Sequence, residues 1–410
     1  MSGRSEITQA ESTPSESTVA SDETTQERYV LVRSCCSLDG GGTAAGFGGC
    51  RPRKEQTVYS MKVASIFLLS LVFGSAEWAA DVEVFATGLN NPRGLKFGPD
   101  GNLYVAEGGT GGTASTVGLC TQVPFPVGPY SGGFTSRISR IDRLGNRHTV
   151  VDRLPSSQTG PALGGLVSGV ADIAFLNGVL YGLEAGAGCS HGLAGTANMI
   201  FRVNENGTTT AVANLSAFQQ ANPVAHPDPD DFEPDGTWYS FIELRGNFYA
   251  VEPNHGELDE ISPWGTIRRV IDISASQGHV VPTAVTYHGN FYIGNLQLFP
   301  IVPGSSHIYK VTPSGEIRID TSNLTTVLGV VFDGRDRMYV LEMSPAGGFP
   351  MPFIGRVRRF EPSGTSKVIA GGLALPTAIT LGPDGRLYVS NFGFGFPAGA
   401  GQIVRITPEE

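Results

Sequence analysis

The sequence predicts an all-β chain, a six-bladed β-propeller whose last blade is closed by the N-terminal strand at about residues 82–89. Three observations predict it. One strand is written six times: "LYVAE" ending at Glu107, "LYGLE" at Glu184, "FYAVE" at Glu252, "FYIGN" at Asn295, "MYVLE" at Glu342 and "LYVSN" at Asn391. Self-similarity of this kind marks a repeat architecture. Each copy sits in the same grammar of four short strands and two tight turns, and 55 Gly and 27 Pro with 16% charged residues suit many turns rather than long surface helices. Finally, the last unit is one strand short, while "VEVFATGL" ahead of the first unit matches the fourth-strand pattern of "SKVIAGGL". Pairing that spare strand with the last unit closes a ring and removes open sheet edges.

From the N-terminus, residues 1–60 are polar and Ser/Thr/Glu-rich without apolar period, and read as a disordered or mis-assigned upstream segment. Residues 61–80, "MKVASIFLLSLVFGSAEWAA", have the order of a signal peptide: Met61, one Lys, an apolar run too short to span a bilayer comfortably, then small residues. Met61 is therefore the expected start. The mature chain, the propeller of residues 81–410, is expected to be secreted or periplasmic, monomeric and without a transmembrane span. The alternative is a genuine extension with a membrane anchor. Cys120 and Cys189 are the two cysteines of the exported part and are expected to form a disulfide, with two buried free thiols as the alternative. A net charge of -10 without a Lys/Arg cluster argues against nucleic acid or an anionic membrane as partner.

In the first unit "RGLKF" turns through "GPDG" into "NLYVAE", and after a long insertion "SRISRID" turns at "RLGN" into "HTVVDRL". The last unit repeats this as "TAITL", "GPDG", "RLYVSN" and "GQIVRIT". Turns between first and second strands, and between third and fourth, are minimal throughout. All long connections fall after the second strand or before the first, and in an up-and-down blade both emerge on one face. Function favours irregular loops on a rigid scaffold, so this elaborated face is the expected location of a site.

The residues closing the repeated strand, Glu107, Glu184, Glu252, Asn295, Glu342 and Asn391, would lie at that face near the axis. Gathered carboxylates repel unless a cation, a basic side chain or raised pKa values relieve them, and Ca²⁺ or another divalent cation is the cofactor such an oxygen set would take. The structural alternative is that a position recurring in every blade serves every blade, its oxygen accepting backbone N–H groups of the loop.

Departures from the repeat are more informative. Aligning first strands places Gly94, Asp172, Ser240, Ala284, Gly329 and Ala378 together, with Arg93, Ala171, Tyr239, Thr283, Leu328 and Thr377 one residue earlier. Asp172 and Arg93 are the charged exceptions, readable as an inert ion pair or as an anion clamp facing an acid–base group. His191 and His255 are expected on the elaborated face, as ligand-binding groups with Arg93 and Asp172 or as ordinary surface histidines. Asp172, Glu252 and His255 are the candidate catalytic residues. The acid-dense run "HPDPDDFEPDG", His226 to Gly236, lacks EF-hand order and reads as a solvated lid. No G-x-S-x-G, Walker, H-E-x-x-H or C-x-x-C motif supports a serine hydrolase, nucleotide or zincin reading.

The stretches "VFATGLNNPRGLKFGPDGNLYVAEGG", "PVGPYSGGFTSRISRID", "GVADIAFLNGVLYGLEAG", "HPDPDDFEPDGTWYS", "YAVEPNHGELDEI" and "FYIGNL" together resemble the ScyD/ScyE family of exported bacterial propellers, in order over about residues 82–407. The resemblance implies fold and export. It carries no catalytic residues, although two members are associated by name with the pathway of scytonemin, a cyanobacterial pigment. NHL-like architecture is shared with gluconolactonase-like and strictosidine-synthase-like propellers, many of which hold a divalent ion at the channel mouth, but fold alone does not confer function. Two functions follow as expectations. One is a small-ligand pocket, aromatic in preference, lined by loops such as "PFPVGPYSGGF" and "NFGFGFPAGAG". The other is a metal-dependent hydrolase or lactonase in which a carboxylate activates water bound at the ion.

Overall fold

The computed structural model describes residues 81–227 and 229–409; the proposed upstream segment 1–60 and signal peptide 61–80 lie outside the described residues. The fold is a six-bladed β-propeller. Blade 1 comprises Pro92–Phe97, Leu103–Glu107, Ser131–Ile141 and Arg147–Gln158, with a short fifth strand Val167–Ser168 that the repeat did not announce. Blade 2 runs Val170–Leu176, Val179–Glu184, Met199–Val203 and Thr209–Asn214, and blade 3 Ser240–Leu244, Asn247–Glu252, Glu257–Ile261 and Ile267–Asp272. Blade 4 is Pro282–His288, Asn290–Asn295, Ser306–Val311 and Ile317–Leu324, and blade 5 Val327–Phe332, Met338–Glu342, Gly355–Phe360 and Ser366–Leu373.

Blade 6 supplies Ala378–Leu381, Leu387–Asn391 and Gly401–Thr407, and receives Asp81–Leu89 as its fourth strand. The closing pair is antiparallel, with Val82 opposite Ile406 and Ala86 opposite Ile403. First strands of successive blades touch all round the hub, blade 6 returning to blade 1.

Six apolar clusters each join two neighbouring blades. Between blades 6 and 1, for example, Ala86, Leu89 and Ile403 pack on Leu95, Leu103 and Val105. A lone blade cannot bury both its faces, so stacking is what supplies the core. The repeated tyrosine has the same purpose. Tyr104 meets Phe175 of the next blade edge-on at 5.1 Å, Tyr249 meets Phe291 at 4.7 Å, and Tyr388 meets Phe97 at 5.0 Å. Where the preceding turn carries Asp, the tyrosine hydroxyl donates back to it: Tyr104 to Asp100 (3.1 Å), Tyr339 to Asp333 (3.0 Å), Tyr388 to Asp384 (3.1 Å). Ring and hydroxyl thus bind the second strand to both its blade and the next.

Candidate functional site

Each first strand starts at the elaborated face, and starts irregularly. In blade 2 Val170 faces Glu184 and Asp172 faces Leu183, leaving Ala171 as the extra residue of a bulge. Thr283 and Leu328 are extra in blades 4 and 5, and blade 1 has its irregularity between Pro92 and Leu95. Tyr239 and Thr377 donate their N–H groups to Val251 O (3.1 Å) and Ser390 O (2.9 Å), residues already opposed by Ser240 and Ala378. A regular strand would alternate faces; a bulge re-aims consecutive side chains. Both aligned sets consequently reach the hub. Arg93, Ala171, Tyr239 and Thr283 line a cavity of about 190 Å³ at the elaborated mouth, and the set from Gly94 to Ala378 lines a channel of about 260 Å³ beneath it.

Tyr239 lines both spaces and crosses between them, its hydroxyl donating to Thr377 O at 3.0 Å, from blade 3 to blade 6 on the opposite side of the ring. Burial raises its pKa, against the lowering influence of Arg93 nearby. Arg93 lies just above. Its guanidinium carbon is 6.0 Å from the Tyr239 ring centroid and 5.8 Å from that of Phe394, Nη2 donates to Val167 O, and Nη1 has no hydrogen-bond partner among the described residues.

Arg93 and Asp172 are not partners. Asp172 points into the lower channel, where Oδ1 accepts from Ile173 N (2.8 Å), Oδ2 accepts from Phe241 N (3.0 Å) and Ser240 Oγ (3.2 Å), and Lys96 stands at 3.8 Å. Burial raises its pKa, opposed by Lys96 and these donors. The expected acid–base pairing fails because the bulge sends the two registers to different spaces.

The histidines are buried rather than surface groups. His191 is held by Ser157 Oγ at Nδ1 (2.8 Å) and by Gly236 O at Nε2 (3.1 Å), with Glu233 Oε2 at 3.4 Å. Burial lowers its pKa, but Glu233 with its neighbours outweighs this and the net shift is upward. Tyr130 donates to the other Glu233 oxygen at 2.6 Å, and Asp235 accepts both the N–H and hydroxyl of Ser190 at 2.7 Å. Glu233 and Asp235 are therefore buried struts, and this half of the acid-dense run is no solvated lid. His255 lies 3.3 Å from Glu252 and lines another cavity, whose wall includes the Cys120–Cys189 disulfide. Glu252 and His255 come together; Asp172 lies in a different space.

The six repeated positions are spent on backbone. Glu107 accepts from Asn90 N (2.6 Å), Glu342 from Thr325 N (2.8 Å), Glu252 from Thr237 N (2.7 Å) and Asn391 from Ala374 N (2.8 Å), each N–H belonging to the segment that leads into the first strand. Asn295 donates to Val280 O and accepts from His307 N, both at 2.7 Å. What faces each carboxylate on the third strand sets its state. Glu107 and Glu342 face Arg137 and Arg356, which bond them at 2.7 Å and 2.6 Å. Glu184 faces Met199; burial pushes its pKa up to about 8, with only the N–H groups of Gly186 and Ala185 opposing. Glu252 faces Glu257, whose pKa burial pushes up to about 7 against the pull of Arg269.

Such an arrangement does not fit a divalent ion, because each side chain is tied to its own blade and, apart from the buried Oε2 of Glu184, the carboxylate oxygens already accept hydrogen bonds there. Among the described residues no three His, Cys, Asp or Glu side chains stand close enough to hold a metal.

No protein-family model matches the chain, and no curated protein sequence does. Solved structures do. A structural-genomics protein of unknown function from Bacteroides thetaiotaomicron superposes with TM-score 0.52 at 11% identity, covering 81% of this chain and 76% of that one. The PQQ-bound aldose sugar dehydrogenase of Streptomyces coelicolor gives 0.51 at 13% identity, covering 80% and 98%. A gluconolactonase from Xanthomonas campestris gives 0.47 at 9%, covering 80% and 90%. At these identities the first two likenesses show the propeller fold alone.

Tyr130 and Phe394, which line the upper cavity, belong to the two aromatic loops expected there from sequence; Trp238, on the same wall, was missed. Tyr239 stood in the alignment as the one ring among its register mates, and that was the available signal. Trp238 lies in a loop, where no periodicity marks it.

Proposed function

We propose that the protein is an exported propeller that binds a small molecule, aromatic in class, in the cavity at the elaborated mouth of the hub. The observation carrying this reading is the lining: Trp238, Tyr239, Phe299 and Phe394 surround about 190 Å³ with a few polar groups between them, the composition of small-molecule sites in general. Export is supported by the signal-peptide pattern at 61–80 and by the disulfide, which suits an oxidising compartment. Membership of the ScyD/ScyE family is supported by the quoted stretches and agrees with this reading. The protein acts as a monomer in this account, and ligand binding in this cavity calls on no bound ion.

A thermal-shift and calorimetric panel of aromatic and matched aliphatic small molecules tests the proposal. Aromatic members should raise the melting temperature of the full chain. Leu163→Trp, which places a ring at the cavity wall from a half-buried position at the end of the short 3-10 helix Pro161–Leu163, should abolish that response without lowering the unliganded melting temperature. Equal responses from the variant and the parent protein would rule the cavity out.

A further inference from the structure

Resting on that reading, we infer that the upper cavity selects an anion: Arg93 is built to receive a carboxylate carried by a small planar ligand.

A guanidinium in the interior is costly unless its charge and its donors are matched. Arg93 is 6% exposed and in no ion pair among the described residues. Other arginines of the ring show what pairing looks like here: Arg137 and Arg356 each grip a buried glutamate. Arg93 instead has one backbone acceptor, Val167 O, two aromatic faces, and a buried Nη1 that donates to nothing among the described residues. Cation–π contacts stabilise a guanidinium without using its N–H groups, so they leave its donors unmet.

Nη1 keeps two buried N–H groups without an acceptor, on the same fork as Nη2, which gives one N–H to Val167 O, while the Tyr239 hydroxyl stands near enough to share a side-chain hydrogen bond with the guanidinium. That fork matches the two oxygens of a carboxylate. The same rings that hold the guanidinium, Tyr239 and Phe394, also line the cavity and would flank the body of a planar acid. The position is fixed from below: Tyr239 is anchored to Thr377 O at 3.0 Å, and the Arg93 carbonyl accepts from Ser390 Oγ at 2.6 Å. A side chain held this firmly and left one partner short is a receptor for that partner.

Benzoate and its neutral isostere benzamide test the inference by calorimetry on the full chain. Benzoate should bind, benzamide about 10- to 100-fold more weakly, the loss expected when a charge-assisted hydrogen-bond pair is removed. Arg93→Gln should weaken benzoate by a similar factor and leave benzamide nearly unchanged. Its melting temperature should hold or rise, because an unmatched buried cation is gone. Arg93→Lys keeps the charge without the fork and should recover only part of the affinity. Benzamide binding as tightly as benzoate, or benzoate binding equally to Arg93→Gln, would overturn the anion assignment while leaving the aromatic cavity standing. Binding of neither probe, in a protein that also ignores the wider aromatic panel, would overturn both. A parallel fall in melting temperature and in the affinity for both probes in Arg93→Gln would make Arg93 a purely structural clamp.

Discussion

The Asp172 carboxylate occupies the space where a side chain on Gly94 would stand: a Cβ there would fall 1.8 Å from Oδ1 and 2.7 Å from the Asp172 Cα. Blades 1 and 2 thus meet at the hub without room for a methyl group. Since part of the clash is with backbone, the strand itself must shift. Gly94→Ala should cost about 3 kcal/mol, at the upper end of overpacking effects, and lower the denaturation midpoint in urea accordingly. Gly178→Ala, a tight-turn control, meets no atom within 4 Å but has φ +82°, and should show only the smaller left-handed backbone penalty.

Arg356 holds the buried Glu342 through Nε and Nη2 at 2.6 Å and 3.2 Å. Arg356→Met would leave that carboxylate unmatched and should destabilise by about 3–5 kcal/mol. Adding Glu342→Gln, which keeps an acceptor for Thr325 N, should restore much of the loss. A double-mutant cycle by chemical denaturation reads the coupling directly. Benzoate affinity should not change in any member, because this pair fastens a blade and does not face the cavity.

Stability should fall with rising pH across the neutral range. Glu184, shifted from 4.5 up to about 8, binds its proton more tightly folded than unfolded, so its ionisation begins to favour the unfolded chain above about pH 4.5 and the penalty is complete only above about 8. Glu257, shifted up to about 7, acts in the same direction, as do the raised His191 and His255. At roughly 1.4 kcal/mol per unit the Glu184 contribution reaches several kcal/mol. Melting curves from pH 5 to 8.5 should show the decline, and Glu184→Gln should flatten it.

Chelation should leave the melting temperature unchanged. The oxygens that a divalent ion would need in this ring are accepting hydrogen bonds from Asn90, Thr325, Thr237 and Ala374. A fall of several degrees with EDTA, reversed by Ca²⁺, would mean that a cation is held by groups this account gives to the backbone.

Blade count, strand order and the closing strand were legible because they follow from repetition: six copies of one strand and one strand left over. The direction of the loops was legible for the same reason. The repeated Glu and Asn illustrate the limit. Sequence placed them correctly at the ends of second strands, yet whether they cap loops or gather at the axis depends on what faces them, Arg356 for Glu342 and Met199 for Glu184, and that is set by register across the blade. Arg93 and Asp172 show a second limit. Both were visible as exceptions, but adjacent residues that reach separate spaces require a bulge, and a bulge is a property of strand pairing that one strand's residues do not display. The cavity's rings come from four separate segments, carrying Tyr130, Trp238 with Tyr239, Phe299 and Phe394; the loops of Tyr130 and Phe394 were legible as lining, but their meeting with the others is a fact of the closed ring.

The most direct test of the account is the crystal structure of the protein with benzoate. The account predicts the ligand in the upper cavity, its ring between Tyr239 and Phe394 and its carboxylate on Nη1 and Nη2 of Arg93. Benzoate in the lower channel beside Lys96, or an upper cavity left empty at saturating ligand, would contradict it.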